Sequence, residues 1–280
     1  MTKNNRISAR ALYIFSKILI IALALCLALS AFTACGEKTP EETTPIPSDT
    51  PDEPDTPVDA EPKKRVAITY DDGPQYYNDQ ETKKIVDELD KYGFTATFFV
   101  IGNRIPGGDA LSYAVEHGNE IGIHGYTHNV YYDKCTDAEY NEEISKTLAA
   151  IQKQLPNYEV KTMRPVGGRI TDERVKNSPY AVIQWSVDSD DWNNKYVSGD
   201  TDEENDAKIK KTVENVMSVV KDGDIILLHD IWSNTYDATV ILLAALDEAG
   251  YEVVSVAELL GDDLEAGKEY YSRDEVRSYE

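Results

Sequence analysis

The stretch Ala67-Ile68-Thr69-Tyr70-Asp71-Asp72-Gly73-Pro74 (AITYDDGP, 67–74) joins an apolar run to two adjacent carboxylates and a turn. Glycine and proline account for the turn, since both interrupt regular backbone structure. They do not account for the charges of Asp71 and Asp72, which repel each other unless a metal ion, an arginine or water lies opposite. The end of this apolar run is therefore the first candidate for a functional site.

The same alternation of short apolar runs and helical segments continues along the chain from Lys63. Six runs predict strands and a seventh is weaker: RVAITY (65–70), TATFFVI (95–101), NEIGIH (119–124), AVIQWSV (181–187), DIILLH (224–229), YEVVSV (251–256) and the weaker VKTMRPV (160–166). Helical periodicity marks four longer segments: 81–92, 142–155, 205–220 and 235–250. In the second of these, one face carries four apolar residues, which predicts that this face is buried: Ile144, Leu148, Ile151 and Leu155.

Strands that are almost continuously apolar and alternate with helices predict a parallel sheet covered by helices. About seven such units in about 200 residues favour closure into a barrel, and an open doubly wound sheet is the alternative. The fold class is therefore α/β, in a single catalytic domain.

Polar residues follow five of the predicted strands. They are Asp71 with Asp72, His124, Arg164, Asp188 and His229. Because the carboxyl ends of parallel strands meet at one edge, and active sites gather there, these side chains are expected at one rim.

The segment HGYTH (124–128) places two histidines four residues apart, where both can coordinate one metal ion. With one carboxylate they form a set of two histidines and an aspartate, which leaves a position open for water as in catalytic zinc sites. One member of the Asp71-Asp72 pair could then be a ligand while the other takes a proton. The alternative is an aspartate that only caps the following turn.

Other residues at the rim have both a functional and a structural interpretation. Arg164 could pair with the free carboxylate, or it could be a surface residue. Gly167 and Gly168 could present N–H groups to an oxyanion, or form an ordinary flexible turn. Trp192 could line a sugar pocket or lie in the core. His229 could be a general acid partnered by a carboxylate, or a hydrogen-bonded core histidine.

Five motifs occur in a fixed order along the chain: TYDDGP, HGYTH, RPVGG, DSDDW and LLH. In that order and at strand ends they resemble the polysaccharide deacetylase family, also called the NodB-homology domain or carbohydrate esterase family four. The similarity spans residues 63–262 and leaves 263–280 as a C-terminal extension. It implies a distorted (β/α) barrel that binds a divalent metal and removes acetyl groups from N-acetylglucosamine polymers or acetylated xylan. The metal is commonly zinc, and cobalt, nickel or manganese are alternatives.

The resemblance also implies roles for individual residues. Asp72, His124 and His128 would hold the metal. Asp71 would be the general base that deprotonates the attacking water, and Arg164 would orient Asp71.

By the same resemblance, His229 would protonate the leaving amine or alkoxide, and Asp191 would tune His229. Trp192 and Leu227 would wall the acetyl pocket, while the backbone N–H of Gly167 would help to hold the oxyanion.

Some positions depart from the family pattern. Tyr70 replaces a usual phenylalanine, Gly125 stands where serine or threonine is common, and Val166-Gly167 replaces a typical Pro-Tyr. None of these changes removes a proposed ligand or catalytic side chain. The missing tyrosine belongs to the groove wall, so it concerns substrate preference.

Residues 1–35 have the organisation of a bacterial lipoprotein signal peptide. A basic start precedes the apolar core 18–32, which is shorter than the roughly 20 residues that a membrane span needs. The end, Phe32-Thr33-Ala34-Cys35-Gly36, resembles a lipobox with phenylalanine in place of the usual leucine, and predicts lipidation of Cys35. Signal cleavage without a lipid is the alternative.

Residues 36–62 hold seven of the twelve prolines and nine acidic residues against one lysine, which predicts a disordered, self-repelling linker. The chain's net charge of −23 argues against nucleic acid as a partner, because phosphate binding needs clustered lysine and arginine. Of the three cysteines, Cys26 lies in the signal peptide and Cys35 is expected to carry lipid, so Cys135 is left alone and no disulfide framework is expected.

We therefore expect an exported enzyme, lipid-anchored to the extracellular face of the cell membrane, that deacetylates an N-acetylated cell-envelope polysaccharide. Peptidoglycan N-acetylglucosamine is the first candidate substrate, because the tether would hold the domain beside the wall. An O-acetyl esterase acting on xylan or a similar glycan is one alternative. A non-catalytic glycan-binding lipoprotein is another. No protein partner is evident.

Overall fold

The computed structural model of the protein describes residues 63–75 and 80–280; the predicted signal peptide, the predicted linker and Cys35 lie outside these ranges. The strands are β1 (Lys64–Asp71), β2 (Thr97–Ile101), β3 (Glu120–Gly125), β4 (Thr162–Met163), β5 (Ala181–Ile183), β6 (Val187–Asp188), β7 (Ile225–His229), β8 (Tyr251–Val254), β9 (Lys268–Tyr270) and β10 (Val276–Ser278). The α-helices are α1 (Gln80–Asp90), α2 (Ala110–Glu116), α3 (Asp137–Gln154), α4 (Asp172–Lys176), α5 (Asp202–Met217), α6 (Ser233–Glu248) and α7 (Val256–Leu260).

All seven predicted strands are confirmed, but the apolar run 181–187 forms two strands rather than one. These strands, β5 and β6, lie far apart in the order β10-β9-β5-β4-β3-β2-β1-β7-β6, with β8 paired to β1. In a flat sheet, six strand spacings would separate them by about 29 Å. The four residue steps from Ile183 to Val187 can span at most about 14 Å. The sheet must therefore curl until these strands approach each other, which gives the expected distorted barrel rather than an open sheet.

Strand β1 organises the sheet, since it pairs in parallel with β2, β7 and β8. The register sets Asp71 beside Phe99 of β2 and His229 of β7. Its preceding residues Val66, Ala67 and Ile68 are fully buried. The polar end of β1 is thus placed next to the polar end of β7 by the sheet itself.

Residues 263–280 do not stand apart from the domain. Strand β9 pairs in parallel with β5, and β10 pairs antiparallel with β9. Their charged sequence carries no apolar run, so pattern analysis missed both strands. In the described part of the chain, no helix has the length and apolar character needed to cross a membrane.

The buried face of helix α3 overlaps the predicted face but is shifted around the helix. Thr136 caps its N-terminus in a capping box with Glu139. Glu143, Thr147 and Ile151 are the buried residues of the helix, while the other predicted members of that face are half-buried: Ile144, Leu148 and Leu155.

Candidate active site

The two carboxylates at the end of β1 are carried by different backbone conformations. Asp71 is the last residue of the strand, whereas Asp72 adopts a φ of 76° in the left-handed region. Nη1 of Arg104 donates a hydrogen bond to the carbonyl of Asp72 at 2.6 Å. Both carboxylates are buried.

Gly73 is required by a close contact rather than by its backbone angles. A Cβ at this position would lie 2.1 Å from Oδ1 of Asp230. The carboxyl group of Asp230 is buried, and its Oδ2 accepts a hydrogen bond from the hydroxyl of Thr82 at 2.5 Å. Burial raises the pKa of Asp230 to about 7, with the charges of Asp72 and Asp71 adding to the shift.

Asp72, His124 and His128 bring three potential ligand atoms within 4.8 Å of one another. Oδ1 of Asp72 lies 3.1 Å from Nε2 of His128 and 3.4 Å from Nε2 of His124. This oxygen is buried, yet it has no hydrogen-bond partner of acceptable geometry. Burial alone would raise the pKa of Asp72, but the two imidazoles outweigh it and hold the pKa well below its ordinary value. A buried, ionised oxygen that faces two imidazole nitrogens fits a divalent cation such as zinc.

The orientation of His124 is set by its second ring nitrogen. Nδ1 lies 2.9 Å from the carbonyl oxygen of Arg164, which can only accept, so Nδ1 carries the proton. Nε2 therefore faces the carboxylates, as metal-ligating histidines with such an outer partner do.

The loop that carries His128 is held by Glu143 of α3. Oε2 of Glu143 accepts the backbone N–H groups of Tyr126 and Thr127 at 2.6 and 2.9 Å, and Oε1 accepts the hydroxyl of Thr127 at 2.8 Å. This support matters because His128 itself has a φ of 64°, which is unfavourable for a residue with a side chain.

Arg164 is fully buried and holds one carboxylate oxygen of Asp71. Its Nη1 donates to Oδ1 of Asp71 at 2.9 Å and to the hydroxyl of Thr69 at 2.6 Å. Nε and Nη2 bind the carbonyls of Ile183 and Gln184. The surface interpretation of Arg164 is therefore wrong. Because Oδ1 of Asp71 is engaged, Oδ2 is the oxygen left facing the cluster, 3.7 Å from Nε2 of His124.

His229 and Asp191 form a second ion pair at the rim. Nδ1 of His229 donates to Oδ1 of Asp191 at 2.8 Å. Oδ2 of Asp191 accepts the hydroxyl of Thr235 at 2.6 Å, and Asp191 is fully buried. Burial alone would lower the pKa of His229, but Asp191 outweighs it and raises that pKa to about 9. The imidazole is therefore charged at neutral pH, with Nε2–H left as a donor.

The three residues expected around the acetyl group have different environments. Trp192 is 49% exposed, so its interpretation as a core residue is wrong. Leu227 is buried on β7. Gly167 lies in an exposed turn with a φ of 59°, which glycine tolerates at little cost.

This arrangement can be compared with known proteins. The family model for polysaccharide deacetylase matches residues 59–182. A peptidoglycan-N-acetylglucosamine deacetylase of Bacillus cereus is 33% identical over 207 residues, which is 71% of this chain and 89% of the relative. This chain belongs to the polysaccharide deacetylase family.

Two further matches support membership of the deacetylase family. The peptidoglycan-N-acetylglucosamine deacetylase PgdA of Listeria monocytogenes is 33% identical over 221 residues, which is 78% of this chain and 43% of the relative. The chain thus spans less than half the length of that relative. The structure of peptidoglycan deacetylase PdaC from Bacillus subtilis is 34% identical with a TM-score of 0.61, and the match covers 70% of this chain and 90% of PdaC.

Four residues that support this deacetylase-family site were missed by sequence analysis: Arg104, Glu143, Asp230 and Thr235. Asp230 directly follows His229, and its position beside a strand-end histidine was an available signal. The other three lie on separate helices or turns, and only the tertiary structure brings them to the site.

Proposed function

We propose that this chain is a metal-dependent deacetylase that hydrolyses the acetamido group of N-acetylglucosamine in peptidoglycan. The observation that carries the proposal is the buried, unpartnered Oδ1 of Asp72 between two imidazoles, with a separate base and a separate acid beside it. Such a division of roles suits amide hydrolysis, because an amine leaves poorly unless it is protonated.

Asp72, His124 and His128 would hold the metal, for which zinc is the first candidate and cobalt, nickel or manganese are alternatives. When bound, the cation lowers the pKa of water towards neutrality and polarises the acetyl carbonyl. The protein's own contribution is to keep Asp72 ionised and Nε2 of both histidines directed at it.

Asp71 would be the general base and would accept the proton of the attacking water at Oδ2. The bond from Arg164 to Oδ1 supports this role, because it fixes the carboxylate and leaves one oxygen for the proton. Arg164 acts by positioning Asp71.

His229 would be the general acid and would donate its Nε2–H to the leaving nitrogen. Its raised pKa keeps that proton in place at neutral pH, and Asp191 stabilises the charged ring. The N–H of Gly167 would donate to the oxyanion, while Trp192 and Leu227 would line the acetyl pocket.

Two observations support the cell envelope as the place of action. The relatives with 33% identity are named for peptidoglycan N-acetylglucosamine, a wall polymer. The sequence also carries an expected export signal with a lipidation site at Cys35, which would anchor the domain on the extracellular face of the membrane.

An O-acetyl esterase is the second candidate. It is favoured by the 32% identity over 201 residues to a relative named bifunctional xylanase/deacetylase, from Pseudobutyrivibrio xylanivorans. The same acid and base would serve, with an alkoxide in place of the amine as leaving group.

The test is acetate release by the purified, zinc-loaded protein from peptidoglycan, chitooligosaccharides and acetylated xylan. Release from the two N-acetylated substrates, abolished by a chelator and by Asp71→Asn, is the expected result. Acetate release from acetylated xylan alone would contradict the proposed N-deacetylase and support the O-acetyl esterase. No release from any of them would favour a glycan-binding protein without activity.

A further inference from the structure

Tyr131 is an exposed aromatic residue beside the site that the proposed reaction does not use. Five large apolar side chains are exposed in the described part of the chain, and only Tyr131 and Trp192 among them are aromatic. Trp192 adjoins Asp191, whereas Tyr131 follows the ligand loop three residues after His128. Single exposed apolar residues are common, so exposure alone decides nothing.

The position of the Tyr131 ring is more informative. A Cβ added to Gly167 would lie 3.4 Å from Cε1 of Tyr131. The ring therefore lies beside the turn that holds the proposed oxyanion donor, at van der Waals distance from a Cβ at position 167. A substrate whose oxyanion is held by the N–H of Gly167 would therefore lie next to this ring.

The base of the Tyr131 loop is firmly held. Tyr132 forms a parallel bridge with Ile170, and its carbonyl accepts Nη1 of Arg174 at 2.6 Å. The carbonyl of Cys135 accepts Nη2 of the same arginine at 2.8 Å. An aromatic ring on a rigid loop loses little entropy when a ligand covers it, which is a property of binding surfaces.

The guanidinium of Arg169 covers one face of the Tyr131 ring, 4.4 Å from its centroid. Nε and Nη2 both donate to Oδ2 of Asp133, at 3.1 and 2.8 Å, so Nη1 takes no part in that pair. Arg169 lowers the pKa of Asp133 through this bond, so the carboxylate stays ionised and offsets the positive charge. The surface thus offers a flat face and one free donor, which suits a neutral sugar better than an anion.

We propose that Tyr131 and Arg169 form a platform that binds a second N-acetylhexosamine of the glycan, next to the sugar that loses its acetyl group. The proposal rests on the proposed function. The apolar face of the pyranose covers the face of the Tyr131 ring that Arg169 leaves open, and a hydroxyl or acetamido oxygen accepts a hydrogen bond from Nη1 of Arg169.

Steady-state kinetics with chitotetraose and with para-nitrophenyl acetate test the platform, since the small ester is too short to reach it. Tyr131→Ala should raise KM for chitotetraose about tenfold, the effect of losing one buried aromatic face, and leave kcat within about twofold. The small ester should be hydrolysed as before. Tyr131→Phe should retain most of the affinity, and the exposed Val219→Ala is a matched surface control. Equal losses on both substrates, or no loss on either, would overturn the platform.

Calorimetric titration of chitotetraose separates a failure of the platform from a failure of the proposed function. If the unchanged protein releases no acetate, the proposed function fails, yet binding can still be compared between that protein and Tyr131→Ala. About tenfold weaker binding of Tyr131→Ala upholds the platform. Equal affinities, or no binding by the unchanged protein, overturn it.

Discussion

Asp191 binds His229 with both of its carboxylate oxygens: Oδ1 accepts the ring Nδ1–H and Oδ2 accepts the backbone N–H, each at 2.8 Å. The aspartate therefore fixes the ring in place, favours its charged form and leaves Nε2 directed away from the pair. The ion pair between Asp191 and His229 should therefore influence how the activity of the enzyme depends on pH.

Activity should fall as pH rises through about 9, the raised pKa of His229, because the acid then loses its proton. The charge of Asp72 contributes to the raised pKa of His229, and a bound cation offsets that charge. In the metal-loaded enzyme the alkaline fall in activity will therefore occur at lower pH. Asp191→Asn should move it further down, because the largest favourable interaction of the imidazolium is lost. A pH profile of kcat/KM measures this. If Asp191→Asn does not shift the pH at which activity falls, the assignment of His229 as the acid is contradicted.

The same pair links pH to stability. The pKa of His229 is raised above its ordinary value of 6.5, so its contribution to folding is complete below that pH and is lost as pH rises through about 9. Urea denaturation at pH 6 and pH 10 should therefore show a smaller pH-dependent loss in Asp191→Asn than in the unchanged protein.

Single histidine substitutions should distinguish metal ligands from histidines that do not bind the metal. His124→Ala should lose bound zinc, because it deletes one of three converging donors. His117→Ala is the matched control: Nδ1 of His117 lies 2.7 Å from the carbonyl of Tyr113, and the residue is not part of the cluster. Metal content after dialysis, measured by atomic emission, gives the answer. Full zinc occupancy in His124→Ala would show that His124 is not a metal ligand.

Glu143 should affect the zinc affinity of the site without being a ligand itself. Glu143→Ala leaves the N–H groups of Tyr126 and Thr127 without their acceptor, so the loop carrying His128 loosens. Zinc affinity should fall about 10- to 100-fold, as for other outer-shell partners.

A competition titration with a chromophoric chelator measures this affinity. Glu143→Gln should restore most of it, since the amide oxygen can accept the same N–H groups. Glu142→Ala removes a neighbouring exposed carboxylate from the same helix and should have no effect. Equal affinities for Glu142→Ala and Glu143→Ala would exclude the positioning role.

Gly73→Ala should destabilise the protein by about 1–3 kcal/mol or more, because the new methyl group overlaps the carboxyl of Asp230. Asp230→Ala in the same chain should recover part of that loss, since it removes the obstructing group. A double-mutant cycle by urea denaturation measures the coupling. Strictly additive effects would show that the strain lies elsewhere.

Much of this architecture follows from local sequence. All seven predicted strands are present, and the family resemblance drawn from five ordered motifs is confirmed. Apolar runs and strand ends are local features, so a single sequence records them well. The residue roles inside the site stay predictions for the experiments above.

Pairing over long distances could not be predicted in the same way. The division of 181–187 into β5 and β6 depends on which strands they join, and β9 and β10 carry no apolar pattern to mark them. Glu143 was missed because helical periodicity counts apolar residues, whereas this glutamate is buried by the N–H groups of a distant loop.

The sequence by itself determined that two carboxylates end one strand and that histidines and an arginine end others, because residue order is all that this requires. Only the tertiary structure decided that Asp71 and Asp72 serve different neighbours. Asp72 takes a left-handed backbone conformation, and its Oδ1 faces both imidazoles. Arg164 binds Oδ1 of Asp71, whose Oδ2 lies 3.7 Å from Nε2 of His124. Adjacent like charges become compatible because the fold brings an arginine and two imidazoles against them.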